Sequence, residues 1–183
     1  PRTLAATEAQ EDVALLRRAL ESVHPGLYRR ATPRALERAF AELHEATTAP
    51  IGELALYRRI SSLLAQIRCS HTKAEQPPAF SAWREANPSH LPFRFRLIEG
   101  RMIIVSAAAE TGLERGAEVL EINGRSVRRL TRELGAYVPI DGDTTWCRAE
   151  LLAHDGDLMG SDFDHFYPYV YGATDQFILL ARD

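Results

Sequence analysis

Lysine and long apolar runs are what this sequence lacks most clearly. Lys73 is the only lysine among 22 basic residues, and the net charge of -3 leaves no excess of positive charge for binding nucleic acid. No apolar run reaches the roughly 18 residues that a transmembrane helix needs, and Pro1–Leu4 does not begin a signal peptide. Because the chain begins without methionine, we expect a processed product or a cloned segment. From the charge and the short apolar runs we expect neither a nucleic-acid partner nor a transmembrane segment.

Cysteine is also scarce. Cys69 and Cys147 are the only two, and their separation matches neither a zinc-finger spacing nor a Cys-x-x-Cys redox pair. In an exported protein they could form a disulfide, whereas two buried free thiols explain them equally well. We expect free thiols.

Metal-binding patterns are incomplete. Asp141–Asp143 and Asp155–Asp157 are Asp-Gly-Asp segments, but neither continues into the spaced acidic ligands of a calcium loop. His154 and His165 lie near several aspartates without the helical spacing of a zinc pair. We therefore interpret the two Asp-Gly-Asp segments as turns and the two histidines as surface residues. We expect no metal and no cofactor.

The first half of the chain has helical periodicity. Apolar residues recur every three or four positions over residues 8–23, 33–47 and 51–67, and Thr32 with Pro33 is a typical N-cap and first-turn pair. A proline-rich stretch from Lys73 to Pro92 then interrupts the pattern. We predict three helices in a domain covering residues 1–90.

The second half changes to strand periodicity. Residues 93–97, 102–105, 119–122 and 177–180 are predicted strands, and Asn123-Gly124 is the preferred pair for a type I′ hairpin turn. Helices are predicted through Leu130, after a cap at Thr145, and after a cap at Asp162. The fold class is therefore α+β, with a second domain over residues 91–183.

Ser70-His71-Thr72, at the end of the third predicted helix, is the strongest candidate for chemistry. Histidine is the usual general base at neutral pH, yet no nucleophile is evident nearby in sequence. The alternative is that His71 merely caps or terminates the helix that precedes it.

Three motifs together resemble a known family. Val23–Tyr28 follows the first helix, Cys69–Thr72 follows the third, and Gly116–Gly124 contains an Ile-Asn-Gly hairpin. In this order they resemble the front half of tail-specific serine peptidases of the carboxy-terminal processing and tricorn group, the S41 type. The resemblance implies a three-helix bundle, then a PDZ-like, partly open β-barrel with helices. It also implies a downstream crotonase-like catalytic domain that is absent from this chain.

The resemblance assigns roles to two residues. By analogy with tricorn-type relatives, His71 is the general base and Ser70 orients its imidazole, while the nucleophilic serine belongs to the absent domain. The chain has no Gly-x-Ser-x-Gly nucleophile elbow, so it should not hydrolyse peptides by itself. Lys73 is expected to be a surface residue.

The function implied is therefore that of a non-catalytic front portion of a serine endopeptidase, which recognises the C-terminal segment of a peptide or protein substrate. A periplasmic or other extracytoplasmic location follows from the same resemblance. The alternative is a peptide- or apolar-ligand-binding module without catalysis. No oligomeric state is predicted.

Two features of the second half bear on ligand binding. Gly112-Leu113 is the only hint of the glycine-rich loop that captures a peptide carboxylate in PDZ domains. The aromatic residues between Phe163 and Tyr171 could line a ligand site, although packing against the last strand is the expected use.

Overall fold

The computed structural model describes residues 2–87, 89–142, 144–153 and 161–182. It is a mixed α+β structure, which confirms the predicted class. The chain divides into two compact units: Pro1–Trp83 with Pro139–Asp143, and Arg84–Val138 with Thr144–Asp183. The short segment 139–143 therefore belongs to the first unit, although it lies within the predicted second domain.

The first unit is mainly helical. Its elements are β1 (Thr3–Leu4), α1 (Ala6–Val23), α2 (Leu27–Arg30), α3 (Pro33–Glu45), β2 (Ile51–Gly52) and α4 (Glu53–Ile67), and α5 (Pro78–Ala86) begins in it. β1 and β2 form a short antiparallel pair. The three predicted helices correspond to α1, α3 and α4, while their arrangement as a bundle remains a prediction.

Local sequence explains where these helices begin and which face they bury. The Thr32 hydroxyl accepts the N–H of Ala35 and Pro33 occupies the first turn, as predicted for α3. In α4 the buried apolar residues recur at helical spacing and join the core of the unit. Among the described helices, none combines the length and the hydropathy that crossing a membrane requires.

The second unit contains the larger sheet. Its elements are β3 (Phe93–Ile98), β4 (Arg101–Ala107), β5 (Glu118–Ile122), β6 (Arg125–Ser126), α6 (Val127–Gly135), α7 (Thr145–Ala153), α8 (Asp162–Tyr171) and β7 (Leu179–Arg182). The strands are antiparallel, in the order β3-β4-β5-β6, and β7 also pairs with β5. Within the described residues the sheet is not closed into a barrel. The PDZ-like fold remains a prediction.

The hairpin prediction at Asn123-Gly124 is confirmed. Both residues have positive φ, 50° and 71°, which the type I′ turn between β5 and β6 requires. The predicted cap of α8 is wrong by one residue, because the hydroxyl of Ser161, rather than Asp162, accepts the N–H of Asp164. The last strand begins two residues later than predicted, since Ile178 is bonded to Asn123 in the turn.

The aromatic residues of α8 are used mainly in the core. Phe163, Phe166, Tyr167 and Tyr169 are buried, and the ring centroids of Phe163 and Phe95 of β3 lie 5.6 Å apart. Edge-to-face contacts of this kind favour packing of the sheet against the helix. Core packing therefore accounts for these four side chains.

Candidate active site

The chain reverses direction where α4 ends. Arg68 is the C-cap and has left-handed backbone angles, φ 61° and ψ 44°, a conformation more usual for glycine. The N–H of Thr72 then donates to the carbonyl of Cys69 at 3.0 Å, so that Ser70 and His71 are the central residues of a tight turn. His71 does not cap α4, and the capping interpretation is therefore wrong.

Ser70 is held by Asp141, a residue of the segment that returns to the first unit. Its backbone N–H donates to Oδ1 at 2.9 Å, and its hydroxyl donates to Oδ2 at 2.7 Å. The N–H of Gly142 donates to the carbonyl of Arg68 at 3.3 Å, which fixes the same segment against the turn. Each carboxylate oxygen of Asp141 thus accepts one hydrogen bond from the same serine.

This arrangement assigns the tautomer of His71. Nδ1 of His71 lies 3.3 Å from Oγ of Ser70. A hydroxyl has a single hydrogen, and the shorter bond to a carboxylate is the stronger one, so Ser70 gives its hydrogen to Asp141. Its oxygen then accepts from Nδ1–H of His71. The remaining nitrogen, Nε2, carries the free lone pair on an exposed side chain, which is the state that a general base needs.

The charge of Asp141 is stabilised by its surroundings. The backbone N–H of Ser70 is the largest cause that lowers the pKa of Asp141 below its usual value, and the Ser70 hydroxyl adds to it. The positive charges of His71 and Arg30 act in the same direction. Asp141 is therefore ionised at neutral pH.

A hydrogen bond between His24 and Thr72 links the His-Pro-Gly motif to the turn. Nδ1 of His24 accepts the N–H of Gly26 at 3.1 Å, so His24 carries its proton on Nε2. That nitrogen lies 2.9 Å from Oγ1 of Thr72, to which it donates. The His-Pro-Gly and Ser-His-Thr motifs, 48 residues apart at this contact, thus meet in one place. His71 is flanked by two anchored side chains, Ser70 and Thr72.

A cleft of about 390 Å³ opens beside the turn in the first unit. It is lined by His24, Pro25, Gly26, Arg29, Arg30, Ile67, Arg68, Cys69, Asp141 and Gly142. Three arginines against one aspartate make its lining predominantly positive. The cleft therefore suits an anionic group.

Cys69 completes the surroundings of the turn. Its side chain is half-buried and packs against the core of the first unit. Its sulfur, a ring nitrogen of His71 and a carboxylate oxygen of Asp141 all lie within 4.8 Å of one another. Cys69 and Cys147 are free thiols, and both are half-buried rather than buried.

Other residues singled out in the sequence lie elsewhere. His165 is half-buried rather than on the surface. Nη1 of Arg84 lies 2.9 Å from its Nδ1. His154, Asp155–Asp157 and Asp143 lie outside the described residues. Lys73 is exposed, as expected.

The loop around Gly112 gives little support to a carboxylate-binding role. Gly112 donates its N–H to Ala109, and the N–H of Leu113 donates to Oγ1 of Thr111 at 3.2 Å. A carboxylate-binding loop needs free N–H groups, and these two are occupied within the loop.

The second unit has a cleft of its own, of about 410 Å³, lined by His90, Leu91, Pro92, Phe93, Arg94, Phe95, Ser106, Ala107, Ala108, Ala153, Ser161 and Asp164. Burial raises the pKa of Asp164, although the N–H of Leu91 and the hydroxyl of Ser161 both donate to its carboxylate. Its lining is more apolar than polar, and its ionisable residues are Asp164, His90 and Arg94. A pocket of this composition is typical of ligand sites.

Sequence reasoning found Ser70 and His71 but missed Asp141 and His24. Asp141 is part of an Asp-Gly pair, which locally indicates only a turn, and nothing in its spacing relates it to Ser70. His24 lies within the Val23–Tyr28 motif, but the sequence alone assigns it no role. The assembled group can accept a proton at Nε2 of His71 and stabilise the charge that results, and the hydrogen bond between the ring and Ser70 is at Nδ1, so Ser70 is not a nucleophile placed at Nε2.

No protein-family model matches this chain, and no curated protein matches it.

Proposed function

We propose that this chain is the front portion of a tail-specific serine peptidase, in which His71 is the general base of a composite active site. The observation that carries the proposal is the hydrogen-bonded series from Asp141 through Ser70 to His71. A carboxylate, an orienting group and an imidazole with a free lone pair are the parts that activate a nucleophile supplied from elsewhere.

Each member of the series has a separate task. His71 removes the proton of the nucleophile and later returns it to the leaving group. Ser70 transmits the orientation, because its hydrogen is given to Asp141 and its oxygen is left to accept from Nδ1. Asp141 supplies the negative charge that stabilises the imidazolium, although it does not touch the ring through a hydrogen bond of its own.

The clefts support recognition of an extended peptide. In the first unit, Arg29 and Arg30 line the cleft next to the turn and offer positive charge to the C-terminal carboxylate of a substrate. In the second unit, which we propose to be PDZ-like, the apolar cleft runs along the start of β3. Since β3 pairs with β4 as the first strand of the sheet, a peptide could lie beside it as an added strand.

The test uses the full-length product of the gene, assayed on unstructured peptides. We expect His71→Ala to lower kcat/KM by on the order of 10³- to 10⁶-fold, the scale for losing a catalytic base. His44→Ala is the matched control, because His44 is an exposed histidine of α3 in the same unit. Activity that survives in the His71 variant would refute the proposal.

A binding module without catalysis is the second candidate, and the apolar cleft of the second unit favours it. Leu91, Phe93 and Phe95 line this cleft together with the acidic Asp164, which suits an apolar ligand with one polar group. In this case the full-length product has no peptidase activity. Titration of the chain with peptides or fatty acids would then show binding that His71→Ala leaves unchanged.

A further inference from the structure

Three potential metal ligands meet at the turn, which the sequence did not indicate. Cys69 and His71 come from the turn after α4, and Asp141 comes from the segment 139–142. Their sulfur, nitrogen and oxygen atoms all lie within 4.8 Å of one another. We propose that Cys69, His71 and Asp141 form a binding site for a soft divalent cation, Zn²⁺ above all.

The donor set matches the preferences of zinc. Zinc binds thiolate, imidazole and carboxylate at about 2.0 to 2.3 Å, which in a tetrahedron places ligand atoms about 3.3 to 3.8 Å apart. From the outer limit of 4.8 Å, the distances between the three ligand atoms need to shorten by about 1 to 1.5 Å. His71 is exposed on a turn, so its side chain can make that adjustment. Calcium and magnesium prefer oxygen ligands throughout and are disfavoured by the thiol.

The carboxylate of Asp141 has acceptor positions left for a metal ion, and the cleft beside it has room for a water ligand. Ser70 uses only two of the roughly four acceptor positions of the Asp141 carboxylate. Cys69 and Asp141 both line the cleft of about 390 Å³, which leaves room for a water molecule as the fourth ligand, although its three arginines oppose the entry of a cation. Three protein ligands with one open position is the arrangement of a zinc site that is not purely structural.

Zinc at this position would switch off the base. If the ion binds Nε2 of His71, it occupies the lone pair that accepts the proton. If it binds Nδ1, the contact to Ser70 is lost and the ring proton moves to Nε2. Either geometry removes the base function, so zinc would act as an inhibitor; this consequence rests on the proposed function, whereas the binding site does not.

The binding test uses this chain, titrated with Zn²⁺ in competition with a chromophoric chelator. We expect one equivalent to bind to the wild type and to Cys147→Ser, which removes the other free thiol and is the matched control. Cys69→Ser and Asp141→Asn should each weaken binding by at least about 100-fold, because even residues behind the ligands cost 10- to 100-fold. Unchanged affinity in Cys69→Ser, or no tight binding in the wild type, would overturn the site.

A spectroscopic measurement on proteins that keep all three ligands tests the site even if a ligand variant fails to fold. Co²⁺ in place of zinc should give thiolate-to-cobalt charge-transfer absorption and tetrahedral d–d bands in the wild type and in Cys147→Ser. Absence of the thiolate band in both proteins would overturn the proposal without reference to Cys69→Ser. Circular dichroism of each variant shows whether its helices are intact.

The inhibitory consequence is tested separately on the full-length product. Zinc should abolish peptide hydrolysis, and a chelator should restore it; zinc-insensitive hydrolysis would overturn the inhibitory role. If the full-length product has no peptidase activity at all, the proposed function fails, while the titration and the cobalt spectrum still decide the metal site.

Discussion

The hydroxyl of Ser70 donates to Oδ2 of Asp141 at 2.7 Å, across 71 residues of sequence. This bond decides which nitrogen of His71 carries a proton, because it uses the only hydrogen of the hydroxyl. A turn that sequence analysis identified by one histidine is therefore controlled by a carboxylate from a distant segment.

Replacing Asp141 should reverse the tautomer. In Asp141→Asn the new amide donates to Oγ of Ser70, so the serine hydrogen turns to Nδ1 of His71 and the ring proton moves to Nε2. Nitrogen-15 shifts of the neutral imidazole in this chain should report Nδ1–H in the wild type and Nε2–H in the variant. Asp12→Asn, on the exposed face of α1, is the control.

The same substitution should lower kcat/KM of the full-length product by on the order of 10²- to 10⁴-fold, the usual contribution of general base catalysis. An unchanged tautomer in Asp141→Asn would contradict the role assigned to Ser70.

The bond between His24 and Thr72 should contribute measurably to the stability of the first unit. Thr72→Val keeps the shape of the side chain and leaves Nε2–H of His24 without its acceptor, at a cost of about 1 kcal/mol. Urea unfolding followed by NMR signals of α1 and α3 measures it. Thr7→Val, an exposed position in α1, should change stability little, since the two residues have similar helix propensity. Equal effects of both substitutions would argue against the bond.

Arginines of the cleft should distinguish free from amidated peptide C-termini. Arg29→Ala combined with Arg30→Ala removes positive charge from the lining of the cleft, and we expect affinity for free C-termini to fall about 10-fold or more, with little effect on amidated peptides. Arg34→Ala combined with Arg38→Ala removes the same charge from exposed positions of α3. Calorimetry with both peptide forms measures the difference. A similar loss in both double variants would show a general charge effect rather than a carboxylate site.

Glu118 should make the second unit sensitive to acid. Its Oε2 receives Arg101 of β4 at 2.7 Å and Arg182 of β7 at 2.8 Å, so three neighbouring strands share one carboxylate. The hydrogen bond from Arg101 is the largest cause that lowers the pKa of Glu118 below 4.5, followed by that from Arg182. A lowered folded-state pKa stabilises the protein above the unfolded value, and this stabilisation is lost as the pH falls through the folded value.

The prediction is checked by urea unfolding at a series of pH values. The stability difference between wild type and Glu118→Gln should be constant well above pH 4.5 and shrink below it. Glu121→Gln is the control, since Glu121 lies on the same strand and forms no ion pair within the described residues. A difference that does not change with pH would show that the two arginines do not act through the charge of Glu118.

The elements that sequence predicted are those determined by nearby residues. The helices follow from apolar residues one turn apart, and the hairpin at Asn123-Gly124 follows from the two positive φ angles that this pair tolerates. The site itself depends on contacts that no local pattern encodes. Arg68 adopts a left-handed conformation where glycine is usual, and Asp141 joins Ser70 only because segment 139–142 belongs to the first unit. Pairs so far apart become visible only when the tertiary structure is known.

The return of segment 139–142 to the first unit also fixes the time at which the site is completed during protein synthesis. A ribosome that adds 5 to 20 residues per second reaches Asp141 about 4 to 14 s after Ser70. In that interval the nascent chain can form its helices and the turn, but Ser70 has no carboxylate to which its hydroxyl can donate. All of β3 to α6 has been translated before Asp141 is added. The site around His71 is thus completed late, after much of the second unit already exists as chain.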